Sequence, residues 1–222
     1  MASHPIGLRQ EARSGCLLID CVDDHGTRSH SYPASELLLT GPTAPRNLAD
    51  AIHFLGALHG QYPSLVELVA ARTIDPPSRT WLAEAGDEFS RERAFLARLS
   101  VEAGPIPPTP GSGSETAIAA TRHALGTLAK SERRGCSLGA ALAVAADWAA
   151  IRTVLDAAAK RFGVIPPPRS GDHRAAIVTL VESVAGDPAM SRAMRFGAEQ
   201  VALQHRGLWD LLQARAQARI AA

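Results

Sequence analysis

NLADAIHFLGALHGQYPSLVELVA, residues 47 to 70, is the stretch that decides the fold class. Leu48, Ile52, Leu55, His59, Tyr62, Val66 and Val69 recur in it at steps of three and four. That is the spacing of one helical face, not the alternation of a strand. Gly60 and Pro63 fall inside the run and predict a kink or a split. Downstream, Asp75-Pro76-Pro77-Ser78 stops the helix, and Ser78 is the expected cap of the next one, about Arg79 to Val101. Its inward stripe reads Leu82, Ala85, Phe89, Glu92, Leu96 and Leu99.

The same logic carries to the end of the chain. Gly104 to Gly111 holds four prolines and reads as a stiff extended crossing. Ser112 and Glu115 match a capping box, opening a helical stretch to about Phe162 that Gly135 divides. In its second part, Gly139, Ala140, Ala143, Ala146, Ala150 and Ala157 are small enough for a neighbouring helix to come close. After the linker Val164 to Pro168 come two more helices, about 172–185 and about 188–215, the second opened by Asp187-Pro188. Met190, Met194, Val201, Leu208 and Leu212 form the inner face of the last. The expectation is an all-α, up-and-down bundle of four long helices with extra short ones, residues 47–222.

Residues 1–46 read differently. The apolar run Cys16 to Val22 followed by Asp23-Asp24-His25-Gly26 has the form of a strand and a turn. A small hairpin or arm packed on the helical body is therefore expected there.

Composition sets outer limits. A chain of 222 residues can bury a sizeable core. A formal net charge of +1 offers no global field for nucleic acid or anionic lipid. Lys130 and Lys160 are the only lysines, so basic charge is carried by Arg, a bias that fits a GC-rich bacterial genome. Three cysteines make no disulfide framework, no stretch shows about 18 uninterrupted apolar residues, and Met1 to Arg13 lacks the apolar core of a secretory signal. A reducing cytoplasm is the expected compartment. There is no Gly-rich phosphate loop, Gly-x-Ser-x-Gly elbow or His-Glu-x-x-His run.

Polar residues on apolar stripes are the candidates for chemistry, since burying them costs free energy unless they find partners. His59, Glu92, Glu132 and His205 stand on or beside such stripes, and Asp147 on another. One reading is a metal site in the bundle core, with ligands converging from facing helices. The other is a buried hydrogen-bonded and ion-paired network that fixes helix register. The helical body, about 47 to 215, resembles the ferritin-like di-iron carboxylate bundles in architecture. Their Glu-x-x-His signature is absent: Arg91 follows Glu88 at that spacing, Phe95 follows Glu92 and Ala202 follows Glu199. The body also resembles the haem-oxygenase-like bundles, which hold a flat ligand between helices, and that resemblance implies His59 as an axial haem ligand.

Cys16, Cys21, His25 and His30 are zinc-binding residue types in the arm, in a spacing that is not that of a zinc finger. Cys136 lies beside Arg133 and Arg134, a setting that can lower a thiol pKa, or is simply a small residue at a tight helix crossing. These readings combine into two functional expectations. One is a self-associating or partner-binding module, a homodimer with Phe196 and Trp209 as contact residues. The other is a metal- or haem-dependent oxidoreductase or a bundle holding a small-molecule or metal ligand in its core.

Overall fold

The computed structural model describes residues 6–109, 113–169, 171 and 173–221, with side chains from residue 14 onward. Among the described residues every regular element is helical: α1 (Ile6–His25), α2 (Glu36–Leu39), α3 (Ala44–His59), α4 (Leu65–Ala70), α5 (Pro76–Ala103), α6 (Ser114–Ala129), α7 (Cys136–Phe162), α8 (His173–Val184) and α9 (Pro188–Ala221), with two short 3-10 turns after α1.

The expected hairpin in residues 1–46 is corrected to a helix. Leu18, Ile19 and Val22 are all buried, a spacing of one and three that puts them on one helical face, and α1 packs against α7, α8 and α9. The punctuation downstream behaves as the sequence suggests. Gly60 ends α3 and α4 begins at Leu65, so the run splits there. α4 starts where Glu67 Oε2 accepts the Ser64 N–H at 2.6 Å. The cap of α5 is Asp75, not Ser78: its carboxylate accepts the Ser78 N–H at 3.0 Å, and Pro76 takes the first helical position. All six residues of the expected α5 stripe are buried. The expected capping box at Ser112 lies outside the described residues.

α7 is the centre of the molecule and packs against each of the other eight helices. By length and composition it is apolar enough to cross a membrane, yet 78% of its apolar window is buried inside the fold. It opens at Gly135, whose φ of +90° favours glycine. Its tightest crossing is with α9. A Cβ built on Gly139 falls 1.9 Å from the Met194 carbonyl oxygen, and one on Gly197 falls 2.0 Å from that of Cys136. The two backbones are therefore in direct contact, and buried Cys136 belongs to that crossing. The far end of α9 is fastened electrostatically. Arg215 donates to Asp50 at 3.0 and 3.1 Å and to the Pro107 carbonyl at 3.2 Å, and Arg219 donates to Asp50 at 2.6 Å and Thr109 at 2.7 Å. Those bonds tie the Pro-rich crossing and α3 to the last helix.

Candidate functional site

Two polar units lie side by side in the core where α3, α5, α7 and α9 meet. The first is a chain of hydrogen bonds. Asp147 of α7 accepts from His205 Nδ1 of α9 at 2.6 Å, from the Thr27 hydroxyl at 2.6 Å and from the Thr27 N–H at 3.0 Å. Trp209 Nε1, one helical turn beyond His205, donates to the same hydroxyl at 2.9 Å. The other ring nitrogen of His205, Nε2, meets Nε2 of His59 on α3 at 3.0 Å. Asp147 holds a proton on His205 Nδ1, and a single proton bridges the two Nε2 atoms. Burial, and next to it the neighbouring His205, push the His59 imidazole well below the usual histidine range, so His59 is neutral. Its ring stands edge-on to Trp148 and Phe89, at centroid distances of 5.4 and 6.1 Å.

The second unit is built on Glu92 of α5. One oxygen accepts from Arg152 of α7 in a short buried ion pair, and the other accepts from Trp148 Nε1 at 3.1 Å. Arg152 is nearly inaccessible and fully engaged: its Nε donates to Asp156 at 2.8 Å and its Nη2 to the Pro167 carbonyl at 2.6 Å. Its guanidinium lies 4.7 Å from the Phe95 ring centroid. Removing either member of such a pair leaves an uncompensated buried charge, which is why both persist together.

Beside these units a cleft of about 480 Å³ opens between α5, α7 and the segment leading into α8. Its apolar wall includes Val66, Ala85 and the Phe89–Trp148 pair, whose ring centroids are 4.7 Å apart at 66°. Its polar lining includes Glu88, which pairs with His173 at 2.7 Å, together with Arg28, Arg152, Arg169 and Arg174. Glu92 and Trp148 thus face both the buried network and the cleft.

The four residues singled out from the sequence separate into three places. His59 and His205 are brought together. Glu92 is buried nearby but held by Arg152 and Trp148. Glu132 lies exposed in the connection between α6 and α7, away from the core, because α6 ends at Ala129 and α7 begins only at Cys136. In the arm, Cys21 Sγ is 3.9 Å from His25 Nδ1, Cys16 is exposed, and His30 donates or accepts elsewhere, with Asp210 at 3.0 Å and the Tyr32 N–H at 3.1 Å. Among the described residues no three His, Cys, Asp or Glu side chains gather in a way that could hold a metal ion. Trp209 is fully buried and is not a surface contact residue, while Phe196 is 42% exposed. Arg152 and Thr27 were not singled out from the sequence. An Arg in the apolar middle of α7, between Ile151 and Val154, was a usable signal for the first, and none marked the second.

The fold and these two units define a helical bundle with a charged, hydrogen-bonded interior next to an open aromatic cleft. The chain belongs to a family of unknown function (DUF6975), whose family model matches residues 22–220. That span contains every residue of both units and of the cleft lining. No curated protein and no solved structure matches the chain.

Proposed function

We propose that this protein is a small-molecule-binding bundle that takes a ligand with a flat apolar body into the cleft between α5 and α7. The observation that carries the reading is the Phe89–Trp148 wall, held from behind by Glu92 and Arg152. Trp148 is fixed at both its ring face and its Nε1, so the wall is rigid before any ligand arrives. A rigid aromatic surface with a few fixed polar groups in a volume of about 480 Å³ is the usual make-up of a small-molecule site.

The test uses naphthalene-2-carboxamide as a neutral flat probe, followed by calorimetry and by quenching of tryptophan fluorescence. Binding is expected to the unmodified protein and to be lost in Ala145→Trp, which fills the cleft while circular dichroism shows the helices intact. A variant that still binds as well as the unmodified protein places the probe elsewhere and overturns the reading.

The ferritin-like relation enters this proposal as architecture alone. With Glu132 outside the core and both oxygens of Glu92 engaged, the residues present do not fit a carboxylate-bridged metal centre. A second reading, self-association through α9, rests on Phe196 and Leu203, which are exposed seven residues apart on that helix. A sedimentation mass that stays at 23.4 kDa up to high micromolar concentration removes it.

A further inference from the structure

We propose that the ligand of this cleft is an organic acid, its flat apolar body against Phe89 and Trp148 and its carboxylate at the outer end, on Arg28 and Arg169. This inference rests on the cleft reading above and names its substrate class.

The charges of the cleft are arranged unequally along its depth. At the inner end every strong group is satisfied within the protein: Glu92 by Arg152 and Trp148, and Arg152 further by Asp156 and the Pro167 carbonyl. A ligand charge placed there would lose its hydration and find no free partner. The inner end therefore selects an apolar group.

The outer end differs. Four guanidiniums line the cleft, and the aspartates that neutralise them are shared. Asp23 receives both Arg28, at 3.2 Å, and Arg174, at 2.7 Å, and Asp156 receives both Arg152 and Arg169. Neither aspartate is part of the lining, whereas all four guanidiniums are. Glu88, the remaining acid of the wall beside Glu92, has its buried Oε2 2.7 Å from His173 Nε2 without a well-aligned hydrogen bond. Arg28 meets Asp23 through Nε, and among the described residues no protein group takes its two Nη nitrogens. Arg169 meets Asp156 through Nε and Nη2, which leaves Nη1 in the same condition. Both side chains are about half exposed, at 57% and 52%, so their donors are reachable from solvent without breaking a buried pair. Guanidinium donors beside an apolar slot favour a planar carboxylate, which they bind by charge-assisted hydrogen bonds.

The experiment compares naphthalene-2-carboxylate with naphthalene-2-carboxamide, two probes with one body and different charge. Calorimetry on the full chain is expected to show the carboxylate binding about tenfold more tightly at low salt, with the advantage shrinking as salt is raised. In the double variant Arg28→Gln and Arg169→Gln, the carboxylate is expected to fall to the level of the amide. Equal affinities of the two probes for the unmodified protein overturn the acid assignment and leave the cleft reading standing. So does a carboxylate preference that survives in the double variant. If neither probe binds, the cleft reading fails and this inference fails with it.

Discussion

His59 is the residue whose setting makes the sharpest claim. It is buried, edge-on to two aromatic rings, and hydrogen-bonded through Nε2 to an imidazole whose Nδ1 proton Asp147 accepts. Its folded pKa lies well below the ordinary value of 6.5 that it regains on unfolding. The sign follows from proton counting. Below about pH 6.5 the unfolded chain binds a proton at this position that the native protein does not, so stability is full above that pH and is lost as pH falls below it. The expected slope from this group is up to about 1.4 kcal/mol per pH unit. His59→Leu lowers stability at neutral pH, since it strips His205 Nε2 of its hydrogen-bond partner, but it should flatten the dependence between about pH 6.5 and 5. Urea unfolding of both proteins across that range decides it; parallel slopes would mean that His59 takes up a proton in the native state. The sequence marked His59 and His205 as polar residues on apolar stripes, and that much was legible. Their pairing was not, because 146 positions separate them and nothing local specifies which helices face one another.

At the scale of elements, the crossing of α7 and α9 is set by two glycines rather than by apolar bulk. A methyl group at Gly197 has no room against the Cys136 carbonyl, and the listener on the other side is backbone, which cannot rotate away as a side chain can. Gly197→Ala is expected to cost about 3 kcal/mol or more, by forcing the helices apart along their whole contact. Gly207, on the same helix but exposed, would place its Cβ in open space, and Gly207→Ala should gain about 0.5–1 kcal/mol from helix propensity alone. Thermal unfolding of the two variants side by side checks the contrast, and similar effects from both would refute the close crossing. Small residues on α7 announced this approach in the sequence. The elements that misled did so for local reasons. Cys16 to Val22 is short, rich in branched residues and followed by a turn signal, so it imitates a strand; the buried set Leu18, Ile19 and Val22 is helical only in the company of residues further along. Glu132 looked like part of a continuous helix, but the chain leaves helical geometry between Ala129 and Cys136, and a residue in that interval has no stripe to share.

The whole molecule is organised around α7, and α1 closes it. Leu18, Ile19 and Val22 fill the space between α7, α8 and α9, and the turn after α1 delivers Thr27 to Asp147. Asp23, also on α1, holds Arg28 and Arg174 at the mouth of the cleft. An element that contributes to the core, to the buried network and to the cleft at once is not an appendage. Removing residues 1–21, which leaves the chain starting where the family match begins, deletes Leu18 and Ile19 from the core and uncovers the faces of α8 and α9. Loss of two such side chains alone costs about 4–10 kcal/mol, comparable with the whole stability of a typical domain of about 5–15 kcal/mol. The truncated chain should therefore keep helical far-ultraviolet circular dichroism while losing its near-ultraviolet signal and its sharp unfolding transition. A truncated chain that unfolds cooperatively at the midpoint of the full one would instead make residues 22–220 the folding unit, with Asp23 and Thr27 positioned by α7, α8 and α9 without help from the helix that precedes them.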